Sequence, residues 1–249
     1  MGNSEYTDFG IEEVLPDEKR KRVNDLFDSV ATNYDLMNDL MSFGIHKLWK
    51  RYAVHIAKIK MGDQVLDVAG GTGDMARQFS RRSGKTGQVY ICDVSFEMLQ
   101  MGRNRLFDTG DFQNVEMIQG DAEHLPFKDN MFDLVCISFG LRNVTDKDQA
   151  LRSMYSKLKY GGQLLILEFS EVSLDMLKPV YQSYSDRYIP ILGRYIAHDE
   201  SSYRYLVESI RRHPNQETLK QMIEQVGFDR VDYFNMIGGV VAVHIAYKL

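Results

Sequence analysis

The chain has 249 residues, 44% hydrophobic and 26% charged, which suits one α/β domain with elaborations. It has no run of about 18 apolar residues, so no membrane span is expected, and the polar stretch from Met1 to Arg22 holds no apolar signal core. A formal net charge of -5 argues against a nucleic-acid partner, and a cytoplasmic location is the default expectation.

Residues 1–16 are expected to fray. A helical region follows from Asp17 to about Lys58, where Val23, Leu26, Phe27 and Val30 make one apolar face. Further helical pieces are expected at Met37–Met41 and His46–Ala57. The basic run Lys19-Arg20-Lys21-Arg22 reads first as a solvated helical turn, and second as a contact for phosphate or anionic lipid. Strands are expected at Gln64–Ala69, Gln88–Cys92, Val115–Gln119, Phe132–Ser138 and Gln163–Phe169. Helices between them are expected at Asp74–Arg82, Phe96–Phe107 and Lys147–Lys159, the last closed by Tyr160-Gly161-Gly162. This alternation predicts a doubly wound, mostly parallel sheet of Rossmann-like form. Leu174–Ile196, Ser201–Ile210 and Gln216–Val226 read as helices. Arg230–Ile237 and Val240–Tyr247 flank Gly238-Gly239, which predicts an antiparallel C-terminal hairpin with a two-residue turn.

Cys92 and Cys136 sit alone in apolar runs and read as small core residues. The six histidines form no HxH or HExxH pattern, so no metal is expected.

Chemistry concentrates at Val65-Leu66-Asp67-Val68-Ala69-Gly70-Gly71-Thr72-Gly73-Asp74, a buried strand followed by a glycine turn and a helix start. Gly71 and Gly73 let backbone N–H groups approach a ligand closely. The same residues fit the dinucleotide pattern GxGxxG/A, so an NAD-binding oxidoreductase is a rival. Gly84-Lys85-Thr86 looks like the end of a P-loop but fails, because Phe79 stands where the first glycine is required. Asp67 lies just before the turn. It either organises the turn or meets the cationic amino group of a methionyl moiety, and it disfavours a diphosphate. Asp93 ends the next strand, about 20 residues on, where an acid can hydrogen-bond ribose hydroxyls. Asp121, with the backbone N–H of Ala122, follows the third strand and could read an adenine edge. Three acids at successive strand ends favour S-adenosylmethionine as the cofactor.

These segments, with Phe132-Asp133-Leu134-Val135 and Leu158-Lys159-Tyr160-Gly161-Gly162, resemble the motifs of class I S-adenosylmethionine-dependent methyltransferases. Longer segments narrow the likeness. Ala31-Thr32-Asn33-Tyr34-Asp35, Met37–Gly44, Ile137–Val144 and Ser202–Ile210 closely resemble the ubiquinone/menaquinone biosynthesis C-methyltransferases, from about residue 20 to the C-terminus. Gly120-Asp121 departs from the acid–amide pair common in that family. The resemblance implies cofactor contacts at Thr72, Asp93, Asp121, Ala122 and Ser138, and C-methylation of a prenylated benzoquinol or naphthoquinol. It implies a seven-stranded sheet, an N-terminal helical cap over 1–58, and a methyltransferase domain over 59–249 with a helical insert at about 174–212.

For that reaction, Arg142 is expected to act electrostatically on a phenolate and Asn143 to orient a ring oxygen. Tyr34 is expected to cover the site, and Asp35 and His46 are candidate proton acceptors. Met37, Leu40, Met41, Phe43, Trp49, Tyr181, Tyr184, Tyr188, Ile189 and Ile191 are candidates for an isoprenoid groove. Expected partners are the prenylated quinol, other quinone-biosynthesis enzymes, a peripheral contact with the inner membrane and a second copy of the chain. Other readings are a methyltransferase for another small phenol or sterol, and a non-catalytic module that keeps the fold. Binding of S-adenosylmethionine rather than NADH separates the first two classes.

Overall fold

The computed structural model describes residues 6–30, 38–39, 41–111, 113–188, 191 and 200–249. A small hairpin comes first, β1 (Thr7–Phe9) paired with β2 (Glu12–Val14), where fraying is expected from sequence. It is pinned by long-range contacts: the Phe9 ring stacks on Tyr205 at 4.4 Å, and the Ile11 N–H donates to Glu208 Oε2 at 3.3 Å. Helix α1 (Pro16–Val30) follows, then α2 (His46–Ile56).

The alternating region then builds β3 (Gln64–Val68), α3 (Asp74–Ser83), β4 (Gln88–Asp93), α4 (Phe96–Asp108), β5 (Val115–Gln119), β6 (Phe132–Ser138), α5 (Lys147–Lys157) and β7 (Leu158–Phe169). Beyond these lie α6 (Lys178–Ser183), α7 (Glu200–Arg212), α8 (Gln216–Val226), β8 (Asp229–Met236) and β9 (Val241–Tyr247). The seven-stranded sheet has the order β5-β4-β3-β6-β7-β9-β8. Only β9 runs against its neighbours.

Strand alternation divides the core between the two sheet faces. Val65, Leu134, Cys136, Leu165 and Leu167 pack with Trp49, Ala53, Met75 and Phe79 from α2 and α3. Leu66, Val135, Ile137, Leu164 and Ile166 pack with Ala150, Leu151 and Met154 from α5 and with Leu219 and Ile223 from α8. Burying each of the larger side chains stabilises the fold by roughly 1.5–3 kcal/mol. Cys92 and Cys136 lie in this core as expected, and burial raises the thiol pKa of Cys92 to about 12. The helix starts follow side-chain chemistry: Ser95, Asp146 and Asn215 each accept a backbone N–H three residues on.

Several local expectations are corrected. Helix α5 ends at Lys157, and Leu158 is already extended, so Gly161-Gly162 lies inside β7 instead of capping a helix. The carbonyls of Tyr155 and Leu158 are satisfied instead by Lys248 Nζ, at 3.1 and 2.9 Å. The link between β8 and β9 spans residues 237–240, longer than a two-residue turn. Ile237, Gly238 and Gly239 all have positive φ, and Ser173 N donates to Gly238 O at 2.8 Å, so the link is shaped by docking onto the segment after β7. In the described part of the helix expected over Leu174–Ile196 stand α6 and a π turn at Tyr184–Tyr188, and residues 189–190 and 192–196 lie outside the described residues. The basic run is not a solvated turn. Lys19 is buried and donates to Val144 O at 3.1 Å, Arg20 reaches Glu123 at 2.5 Å, and Arg22 bridges Glu12 and Glu18.

Candidate active site

The carboxyl ends of β3 to β7 face one crevice, the place where open α/β sheets bind ligands. The chain leaves β3 through Ala69, whose φ of 51° is left-handed, and β6 through Phe139 at 56°. Non-glycine residues hold this conformation only where the surroundings enforce it. Between them, Gly140 passes so close that a Cβ there would come within 2.6 Å of Ala69 Cβ.

Asp67 is the most constrained acid. It is buried, and Oδ2 accepts from Ala76 N at 3.1 Å, which ties the strand to the first turn of α3. A Cβ on Gly70 would stand 2.9 Å from the same oxygen, so a glycine is required there. Oδ1 has no protein partner. Burial raises this carboxyl to about 7, against the opposing pull of Lys50 and the Ala76 N–H. Asp93 accepts from Gly71 N at 2.8 Å through Oδ2 and from Ser95 N at 3.0 Å through Oδ1, and burial raises its pKa. Asp121 accepts from Glu123 N at 2.9 Å.

These residues line a cavity of about 130 Å³ together with Gly71, Thr72, Ala122 and Ser138. Gly73 does not line it; with φ 79° it turns the chain into α3 against Ile91 and Leu106. The buried hydroxyl of Ser138 is unpartnered, as is Asp67 Oδ1. Two unsatisfied polar atoms and a turn whose glycines leave backbone uncovered fit a polar, cationic ligand laid against backbone. Asp121, Glu123 and His124 approach within 4.8 Å of one another, but Arg20 already engages the carboxylates of Glu123 and Asp121, at 2.5 and 3.7 Å.

A second cavity of about 270 Å³ adjoins the first. Met41, Phe43, Trp49, Tyr181 and Tyr184 line it, as does His46. Of the other groove candidates, Tyr188 and Ile191 are exposed instead, and Met37, Leu40 and Ile189 lie outside the described residues, as do Tyr34 and Asp35. Phe27, Lys50, Phe139 and Asn143 line both cavities and so form their common boundary. Phe139 packs on Trp49 and Phe169, at ring separations of 6.3 and 4.9 Å. Lys50 is held by Asp74 at 2.8 Å.

Arg142 lies in the wall of the second cavity, and its charge is already answered. Its NH1 donates to Glu168 Oε1 at 3.0 Å and also to the Phe139 carbonyl, and its backbone N–H donates to Glu168 Oε2 at 3.2 Å. Nε remains without a partner. Glu168 was missed in the sequence, although an acid inside the apolar run Leu164–Phe169 is the signal that marks it. Asn143 Oδ1 accepts from the Tyr205 hydroxyl at 3.3 Å, which fixes the amide.

The sequence profile of the ubiE/COQ5 methyltransferase family matches residues 15–248. This chain belongs to that family. It is 55% identical over 246 residues to a ubiquinone/menaquinone biosynthesis C-methyltransferase UbiE of Idiomarina loihiensis, covering 99% of this chain and 98% of that one. The UbiE of Legionella pneumophila strain Corby is 54% identical over 249 residues, the full length of both. Among solved structures, a Thermotoga maritima S-adenosylmethionine-dependent methyltransferase superposes with a TM-score of 0.65 at 18% identity, over 91% of this chain and all of that one, which shows the shared fold. Membership in the family sets aside the dinucleotide reading of the glycine turn.

Two outcomes follow from these buried charges. Glu168→Leu leaves a buried guanidinium uncompensated and should lower the unfolding free energy in urea by about 3–5 kcal/mol, with Arg142→Met on top recovering most of it. The Asp67 carboxyl, raised from 3.8 to about 7 in the fold, holds its proton in the folded state over a range where the unfolded chain has lost it. Its contribution to stability is therefore full below the unfolded pKa and declines as pH rises through 7. Melting of the ligand-free protein should weaken between pH 5 and pH 8 as a rough window, and Asp67→Asn should flatten that trend; an unchanged slope would contradict the assignment.

Proposed function

We propose that this C-methyltransferase of ubiquinone and menaquinone biosynthesis holds S-adenosylmethionine along the ends of β3, β4 and β5 and the quinol ring in the cavity around Trp49. When bound, the cofactor supplies an electrophilic methyl group. The observation that carries the placement is the pair of adjoining cavities, one polar and acidic and one aromatic, which meet at Phe27, Lys50, Phe139 and Asn143.

On the cofactor side, Asp67 Oδ1 is the acceptor suited to a cationic amino group, and Asp93, fixed by two backbone donors, suits ribose hydroxyls. Thr72, Gly71 and Ser138 offer the remaining polar contacts, and Asp121 with Ala122 faces the adenine end. On the acceptor side, the unpartnered Arg142 Nε–H and the fixed Asn143 amide are positioned to hold a ring oxygen as negative charge develops on it. Because Glu168 balances the Arg142 charge, Arg142 acts by a directed hydrogen bond more than by net charge. The aromatic walls exclude water, and held alignment supplies much of the rate.

A prenylated ring needs an apolar exit. Phe43 is 75% exposed and Ile237 47%, and both also line the acceptor cavity. The exposed Leu174 lies against Gly238, next to Ile237, and the exposed Tyr188 stacks on Tyr184 of the cavity wall, so the apolar rim continues outward. No helix among the described residues is long and apolar enough to cross a membrane. The rim gives the chain a surface on which to meet a lipid-dissolved substrate as a peripheral protein.

Trp49 is the only tryptophan in the sequence, so a short-chain benzoquinol or naphthoquinol analogue should quench the intrinsic fluorescence in a saturable way. Turnover without saturable quenching would place the ring elsewhere. The protein should also co-sediment with phosphatidylglycerol/phosphatidylethanolamine vesicles at high salt, and Phe43→Glu should reduce the bound fraction several-fold. Wild-type protein left wholly in the supernatant would overturn the membrane contact.

A further inference from the structure

Ring methylation releases one proton per turnover, and the acceptor cavity must provide for it. Most titratable groups on its described wall are unsuited. Lys50 is paired with Asp74 and Arg142 with Glu168. Burial pushes the Tyr181 and Tyr205 hydroxyls up to about 12. His46 is the exception, and its hydrogen bonds define which nitrogen is free.

The carbonyl of Asn38 lies 3.1 Å from His46 Nδ1, and a carbonyl only accepts, so Nδ1 carries the hydrogen. Ser42 Oγ sits 2.7 Å from the same nitrogen and donates its own hydrogen to Asn38 O at 2.6 Å. Nε2 therefore keeps its lone pair, 3.7 Å from Asp39 Oδ1. On α2, His46 precedes Lys50 by four residues, which puts it about 6 Å along the helix from the boundary between the cavities and on the same face.

We infer that His46 is the catalytic proton acceptor: Nε2 takes the phenolic proton of the quinol as its ring carbon attacks the methyl group. The ring carbon gains the methyl and the carbon–sulfur electron pair stays with sulfur. The ring-carbon hydrogen then moves to the ring oxygen, restoring the hydroxyl and the aromatic ring, and imidazolium releases its proton to water. Positive charge is thus lost at sulfur as it appears at imidazole, with the Asp39 carboxylate beside it. The net charge of the buried site is conserved through the step.

Burial, then Lys50, lowers the His46 pKa, while Asp39 and Asp74 oppose them, so the ring is neutral and ready at pH 7. Across the cavity it faces Arg142, which is paired with Glu168, and the phenols of Tyr181, Tyr184, Tyr203 and Tyr205. Lys47 on the same helix is held by Asp39 at 2.7 Å.

The test is kcat against pH at saturating S-adenosylmethionine, where the cationic ligand keeps Asp67 ionised. Wild-type kcat should fall below the ordinary imidazole range. His46→Gln should lower kcat about 100-fold or more and remove that acid limb, with cofactor Kd by calorimetry within about threefold. Added imidazole should restore His46→Ala at least fivefold, and Asp39→Asn, at a partly exposed position, should shift the limb to lower pH. A His46→Gln kcat within threefold of wild type, a persisting acid limb, no imidazole rescue, or a limb unmoved by Asp39→Asn would each overturn the assignment. The inference rests on the ring lying beside Trp49. Absent quenching fails that placement, whereas normal quenching with an unaltered pH profile fails His46 alone.

Discussion

A carboxyl buried beneath a glycine turn is the constraint to which the whole crevice conforms. Asp67 stands on the central strand with no room above it for a side chain at residue 70, and its satisfied oxygen fixes where α3 begins. Charge burial is expensive without a partner. The unpartnered Oδ1 of Asp67 therefore makes this place unfavourable for a carboxylate alone and favourable for a cation beside it. Lys50 from α2 stands near enough to moderate the acid, and it is in turn held by Asp74 from the first turn of α3. One unfavourable burial thus sets strand, turn and two helices relative to one another.

The meeting of the two cavities follows from the same geometry. The boundary of Phe27, Lys50, Phe139 and Asn143 includes a residue in left-handed conformation, Phe139, wedged between Trp49 and Phe169. Its carbonyl is gripped by Arg142, whose guanidinium is anchored to Glu168 at the end of β7. The Arg142–Glu168 pair thus does for the second cavity what Asp67 does for the first: it uses a buried charge to fix backbone. The sequence expectation for Arg142 as a partner of phenolate does not include this anchoring by Glu168, which fixes where its guanidinium stands.

Much of this was legible in the sequence, for identifiable reasons. The β3 to β6 strands are apolar runs bounded by glycine, asparagine or acid, and their expected limits match the structure to within a residue, whereas β7 begins five residues before the expected Gln163. The acids at the ends of β3, β4 and β5 stand out because carboxylates are rare inside such runs. Local rules failed where distant groups substitute for local ones. Lys248 satisfies the end of α5 that a glycine cap was expected to close, and Glu208 and Tyr205 hold a hairpin that looked frayed. Gly73, expected as a ligand contact from its place in the motif, also meets a packing need, because a Cβ there would press on Ile91 and Leu106. The Arg142–Glu168 pair spans 26 residues and left no spacing to recognise.

The hairpin at the start of the chain reaches further than its size suggests. Phe9 stacks on Tyr205, Tyr205 holds the Asn143 amide, and Ile11 is tied to Glu208 across 197 positions of sequence. The crevice along β3, β4 and β5, by contrast, is assembled mostly from neighbouring segments. Contacts between distant parts of a chain are the slowest to close. During synthesis the described residues that line the first cavity, Arg20 to Thr145, all emerge before Tyr203, Tyr205 and Val240 can complete the wall of the second, so a truncated chain carries one lining whole and the other in part.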